Sequence, residues 1–175
     1  MSGYRPTQLV VMGVAGCGKT TVAALIASRT GCALAEGDDF HSPSSIARMA
    51  AGYSLDDATR TPWLVAIAGW LTERAAVGQC AVVSCSALTR AYRDVLRGAG
   101  SDVRMVHLAG PCDLVARRLV ARRGHFMPPG LLASQYAVLE PLAHDEPGIT
   151  VSLEATPDRI ADEVLRAFRL PHSAS

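Results

Sequence analysis

Gly13-Val14-Ala15-Gly16-Cys17-Gly18-Lys19-Thr20 is the stretch on which the reading of this chain turns. A glycine, four further residues and then Gly-Lys-Thr is the pattern of a phosphate-binding loop. Glycines let successive backbone N–H groups curl around a phosphate without Cβ clashes, at a helix N-terminus that already favours anions. Lys19 adds a slim ammonium that reaches the β- and γ-phosphates, and the Thr20 hydroxyl can ligate Mg²⁺ directly. The flanks agree: Leu9–Met12 reads as an apolar strand, and Thr20–Thr30 as a helix stopped by Gly31. Gly13, Val14, Ala15, Gly16, Cys17, Gly18, Lys19, Thr20 and Thr21 are therefore the candidate ATP contacts. Cys17 has two readings: an inert residue that contributes its backbone, or a thiol activated by the loop amides and Lys19 and shielded by nucleotide.

Outward from the loop, short apolar runs alternate with helical periods. Strands are expected at Cys32–Glu36, Ala81–Cys85, Val103–Leu108 and Ile149–Leu153. Between them, Ser42-Pro43 opens a short helix that stops near Gly52, and Pro62–Val77 places Trp63, Ile67, Trp70 and Leu71 on one face. Further helices are expected over Thr89–Arg97, Asp113–Arg123 and from Pro128-Pro129-Gly130 to about Leu142, with a last one opened by Thr156-Pro157. Strands separated by helices imply right-handed crossovers and a mostly parallel sheet covered on both faces. The expected fold is α/β: three layers, a five-stranded parallel sheet and a small lid, in one domain over residues 1–175.

Composition sets the boundaries. The 175 residues are 49% hydrophobic and 19% charged, enough apolar residue for one core and too little polarity for disorder. A formal net charge of +1 and 5% aromatic residues argue against nucleic acid and against an anionic membrane surface. Five cysteines without a CxxC pair read as reduced thiols in a cytoplasmic protein. The apolar run after Arg5 ends in the Gly-Lys-Thr-Thr of the loop rather than in a cleavage site, so it is not read as a signal peptide. Lys19 is the only lysine among 17 cationic residues. That alone removes the N/T-K-x-D base-reading motif of switch GTPases. The third strand ends in Ser84-Cys85-Ser86 with no carboxylate, which sets the chain apart from motor ATPases. A small-molecule kinase remains.

Four further stretches make the chain resemble the small P-loop gluconokinases, relatives of shikimate and adenylate kinases. They are Gly37-Asp38-Asp39-Phe40-His41; Leu55-Asp56-Asp57 with Arg60 and Pro62-Trp63-Leu64; Cys85-Ser86-Ala87-Leu88 with Tyr92-Arg93-Asp94; and Arg122-Arg123-Gly124-His125-Phe126-Met127-Pro128. The resemblance implies ATP-dependent phosphorylation of D-gluconate at its 6-hydroxyl, with Mg²⁺, in a cytoplasmic homodimer.

Chemistry assigns the parts. A carboxylate just past the second strand faces the crevice where ligands collect, so Asp38 is the candidate to orient the hydroxyl and accept its proton. Glu36 would hold Mg²⁺ through a water, by similarity to related kinases. His41 and Ser86 are candidate polyol contacts. The substrate carboxylate needs a cation, for which Arg48, Arg60 and Arg93 are the candidates; each also reads as a surface arginine or an ion pair, as with Arg60 and Asp56 or Asp57. Trp63 and Trp70 read as core. Arg118 and Arg122 share a helix face in a basic run. By resemblance, Arg118 stacks near the adenine and Arg122 meets the phosphates from a lid over residues 118–134, while residues 37–64 bind the acceptor. Ala15, Cys17 and Thr89 depart from the family pattern, Thr89 by replacing a common lysine. Two other readings stand beside this one: a shikimate-kinase-like enzyme for another small metabolite, and a non-catalytic nucleotide-binding regulator.

Overall fold

A computed structural model describes residues 6–100, 102–121 and 129–171. Strands β1 (Gln8–Met12), β2 (Ala33–Glu36), β3 (Ala81–Ser84), β4 (Val103–Ala109) and β5 (Gly148–Ser152) form one parallel sheet in the order β2-β3-β1-β4-β5. Helices α1 (Lys19–Thr30), α2 (Pro43–Ala50), α3 (Asp57–Ala76), α4 (Arg90–Arg97), α5 (Cys112–Ala121) and α6 (Pro129–Val138) fill the crossovers, with a 3₁₀ turn at Gly37–Phe40, and α7 (Pro157–Ala167) follows β5. This is the expected three-layer α/β architecture, with helices on both faces.

Alternation along the strands sorts the side chains into two cores. Leu9, Val11, Val82, Val106 and Leu108 pack with α1, α5, α6 and α7, whereas Val10, Met12, Val83, Val103 and Met105 pack with α3 and α4. β1 is buried along its whole length and carries the loop at its carboxyl end. The chain leaves β1 for β2 on one side and later reaches β4 on the other, so the crevice beside β1 is the topological switch point where ligands bind.

Local signals place most helix ends. Ser42, Thr89 and Thr156 cap α2, α4 and α7, each accepting a backbone N–H three residues on, and Gly31 closes α1 in the left-handed conformation. Two expected boundaries move. α3 starts at Asp57 rather than Pro62, because the Asp56 carboxylate caps it through the Thr59 N–H at 2.9 Å, and Pro62 lies inside the helix. α6 stops at Val138 rather than near Leu142, because the Glu140 N–H turns to the Leu88 carbonyl at 2.9 Å and Pro141 has no N–H to give.

The cysteine expectation is corrected too. Cys32 and Cys80 are joined through their sulfurs. They stand just before β2 and β3, whose register pairs Ala33 with Ala81, and their Cα atoms are 4.8 Å apart, within the span of a disulfide. Cys17, Cys85 and Cys112 are free. Protein prepared without reductant and then denatured should titrate three thiols, against five after reduction; five in both samples would refute the pairing. Among the described residues, no helix is long and apolar enough to cross a membrane.

Candidate active site

The buried β1 leads into the loop, and α1 rises from it. Gly18 precedes α1 at φ 98°, a conformation that side chains with a Cβ resist. Gly16 is required by proximity: a Cβ there would strike the Leu119 side chain, which α5 packs against the loop. The Lys19 ammonium lies along the loop it belongs to, donating to the carbonyls of Gly13 at 3.2 Å and Val14 at 3.0 Å. One Cys17 reading falls here. Its side chain belongs to the apolar core rather than to the phosphate cradle, and burial raises its pKa against the pull of Lys19. Cys85, also buried, is pushed up to about 12 by the same cause. Neither is a thiolate near neutral pH.

Three oxygens meet beside the loop. Thr20 Oγ1 donates to Glu36 Oε2 at 3.2 Å, and the Ser84 hydroxyl bonds to the same carboxylate oxygen. β2 and β3 are register neighbours with Glu36 opposite Ser84, so the sheet itself brings these groups together. The carboxylate missing from the end of β3 is thus supplied by the adjacent strand. Thr20 and Glu36, the two residues expected at the metal, are hydrogen-bonded to each other, and Ser84 is a neighbour that sequence reasoning missed. Two hydroxyls and one carboxylate suit a hard cation that keeps much of its water shell. Among the described residues there is no cluster of three or more His, Cys, Asp or Glu that could cage a metal.

The turn after β2 carries Asp38 and His41, the residues expected at the acceptor. Asp38 projects outward, its side chain 93% exposed. Its neighbour His41 is nearly enclosed: the imidazole stacks on Trp63 with centroids 4.4 Å apart and planes 13° from parallel. His41 Nε2 lies 3.9 Å from the Asp38 carboxylate, and its buried Nδ1 has no hydrogen-bond partner. Burial lowers the His41 pKa; Asp38 opposes that shift and Arg60 adds to it. The Trp63 indole N–H donates to the Gly37 carbonyl at 2.6 Å. Trp63 is therefore core, as expected, and it also fixes the turn that carries Asp38. Trp70 packs against the same core, edge-on to Phe40.

The arginine candidates separate. Arg60 donates to the Tyr92 hydroxyl at 2.8 Å with its guanidinium over the Tyr92 ring, and that hydroxyl donates to Asp57 at 2.5 Å. Asp56 is occupied as a helix cap, so the expected direct pairing of Arg60 with an aspartate is replaced by a relay through Tyr92. Arg48 is exposed on α2. Arg93 is corrected as a substrate contact. Its side chain is fully buried and forms a two-pronged pair with Glu146, at 2.6 and 2.8 Å. Its remaining donors reach the carbonyls of Ala87, Leu88, Glu140 and Pro141. No donor is left for a substrate carboxylate. Arg93 instead braces the loop after β3, where Ala87 holds φ 42° and the Ser86 carbonyl accepts the Gly13 N–H at 3.3 Å. Ser86 itself is half-buried beside the loop. Arg118 donates to the Leu153 carbonyl at 2.6 Å, which sets its guanidinium at the carboxyl end of β5. Arg122 lies outside the described residues.

No family model matches the chain. A curated relative, the gluconokinase of Gluconobacter oxydans (strain 621H), is 47% identical over 167 residues, covering 95% of this chain and 94% of its own. A solved sugar kinase from Janibacter sp. HTCC2649 superposes with a TM-score of 0.89 at 45% identity, over 94% of this chain and 95% of that one. A gluconokinase structure from Sinorhizobium meliloti 1021 superposes with a TM-score of 0.83 at 38% identity, over 94% and 93%.

Proposed function

The chain belongs to the gluconokinase family, and we propose on that premise that it transfers the γ-phosphoryl group of ATP to the 6-hydroxyl of D-gluconate. One observation carries the reading: the carboxyl ends of β1, β2 and β3 bring a phosphate loop, an oxygen cluster and an outward-facing carboxylate to one crevice. Phosphoryl transfer asks for that combination, since catalysis is chiefly alignment and charge neutralisation.

In this scheme the loop amides and Lys19 hold the β- and γ-phosphates. Thr20 and Glu36, with Ser84, would hold Mg²⁺, which supplies charge neutralisation on the phosphates when bound with ATP. Asp38 orients the acceptor hydroxyl and takes its proton as the new P–O bond forms and the bond to ADP breaks. His41 and Ser86 line the polyol. Arg60, held over Tyr92, and the exposed Arg48 are the two remaining partners for the substrate carboxylate. The lid over residues 118–134, with Arg118 at the adenine and Arg122 at the phosphates, and the acceptor segment over residues 37–64 belong to the same proposal. So do a homodimer and a cytoplasmic location, both resting on family likeness; in reducing cytoplasm, Cys32 and Cys80 would spend time as thiols.

A shikimate-type enzyme and a non-catalytic regulator are not favoured by relatives that carry the gluconokinase name. The test is ADP release in a coupled assay with gluconate, shikimate, glucose and AMP. Release with gluconate alone is expected, and preference for another acceptor would overturn the reading. In the same assay Asp38→Asn should lower kcat by about 10²- to 10⁴-fold, the range for removing a general base, with the KM for ATP little changed.

A further inference from the structure

The phosphate loop makes one contact that this scheme leaves unused. The Ala15 N–H donates to the side-chain oxygen of Gln135 at 2.7 Å, although 120 residues separate the two. Gln135 sits on α6, which is anchored at two points. Leu132 is buried in the core, and the Tyr136 hydroxyl donates to the Gly110 carbonyl at 2.9 Å. Ala15 lies between Val14, whose carbonyl takes the Lys19 ammonium, and Gly16, on which Leu119 packs. The Gln135 carboxamide therefore stands at the mouth of the phosphate cradle, engaged with an amide of the loop that binds anions.

Its chemistry suits that position. A carboxamide carries an acceptor and two N–H donors on one carbon, and brings no charge into an anion site. With the oxygen given to Ala15, the NH₂ group has no hydrogen-bond partner among the described residues. The helical turn that holds Gln135 also reaches the acceptor side. The Gln135 backbone carbonyl accepts the Leu139 N–H, and the next residue, Glu140, donates to the Leu88 carbonyl that Arg93 also holds. One turn of helix joins the donor loop to the loop that carries Ser86.

We propose that Gln135 is a γ-phosphate contact: its oxygen keeps the Ala15 amide in place, and its NH₂ group donates to an oxygen of the phosphoryl group to be transferred. The role rests on the loop being the ATP site of the kinase proposed above. ADP has no γ-phosphate and gains nothing from this contact, so Gln135 lets α6 distinguish loaded from spent nucleotide.

The experiment measures binding of ADP and of a non-hydrolysable ATP analogue by displacement of a fluorescent nucleotide, without gluconate. Gln135→Glu keeps the shape and an acceptor oxygen but sets a negative charge against the phosphate. It should weaken the analogue at least ~10-fold while leaving ADP within about 2-fold, and lower kcat in the complete reaction. Gln135→Ala should move the ratio the same way by a smaller factor, and it decides the matter if the glutamate variant does not fold. Equal losses for both nucleotides would overturn the proposal in favour of a simple brace for the loop, and no loss would overturn it outright. A wild-type protein that ignores gluconate yet shows the Gln135-dependent ratio would sink the proposed acceptor and leave this contact standing.

Discussion

Lys19→Arg should lower kcat by about 10³-fold while the protein stays folded, although formal charge is unchanged. The Lys19 ammonium lies within 3.2 Å of two carbonyls of its own loop, at the amino end of α1, in a turn narrowed by Leu119 against Gly16. A single nitrogen at the end of a flexible stem can leave those carbonyls and follow charge onto the phosphates. A planar guanidinium must place its whole fork at once and cannot make that move as a single point charge. Steady-state kinetics with saturating ATP and gluconate measures the loss, and a thermal melt confirms folding. Turnover within a few-fold of wild type would show that charge alone suffices and would remove the reason for the chain's one lysine.

The second large effect concerns stability. Glu146→Gln should cost about 3–5 kcal/mol of folding free energy, because it leaves the Arg93 guanidinium buried without a counter-charge. Replacing the pair together, as Arg93→Met with Glu146→Leu, should recover only part of the loss. Apolar pairs often substitute well for buried ion pairs, but here four backbone carbonyls from two separate segments also depend on Arg93. Denaturant melts of Arg93→Met, Glu146→Leu and the double variant measure the coupling. Full recovery in the double variant would show that the carbonyl contacts contribute nothing. The pair also sets an acid limit. The hydrogen bonds from Arg93 hold the Glu146 pKa below its ordinary 4.5, so in acid the folded state binds fewer protons there than the unfolded state does. That stabilisation is complete above pH 4.5 and disappears as pH falls through the lower native value.

What could be read in advance was local. The loop, the helix starts at Ser42 and Thr156 and the Gly31 stop each depend on residues within a few positions, and each is found where expected. The contacts that assemble the site are long-range. Arg93 meets Glu146 53 residues on, Ser84 meets Glu36 48 residues back, and Gln135 reaches Ala15 across 120. One signal was present for Arg93: it stands three residues before Leu96, on the buried face of α4, where an arginine must find internal partners. Nothing comparable marks Cys32 and Cys80, which become neighbours only through the register of β2 and β3.

The stacking of His41 on Trp63 has an optical consequence. The indole that fixes the Gly37 carbonyl is one of two tryptophans, and the other lies edge-on to Phe40 in the same 3₁₀ turn. The protein's tryptophan fluorescence is therefore emitted from beside the 3₁₀ turn that carries Asp38. An imidazolium quenches indole emission more strongly than neutral imidazole does. Since His41 titrates below its ordinary 6.5, emission should hold steady at neutral pH and dim only on acidification. Under the acceptor assignment proposed above, a sugar acid that engages Asp38 or His41 disturbs the same stack, so its binding can be followed without a label and apart from nucleotide, through light the protein already gives off.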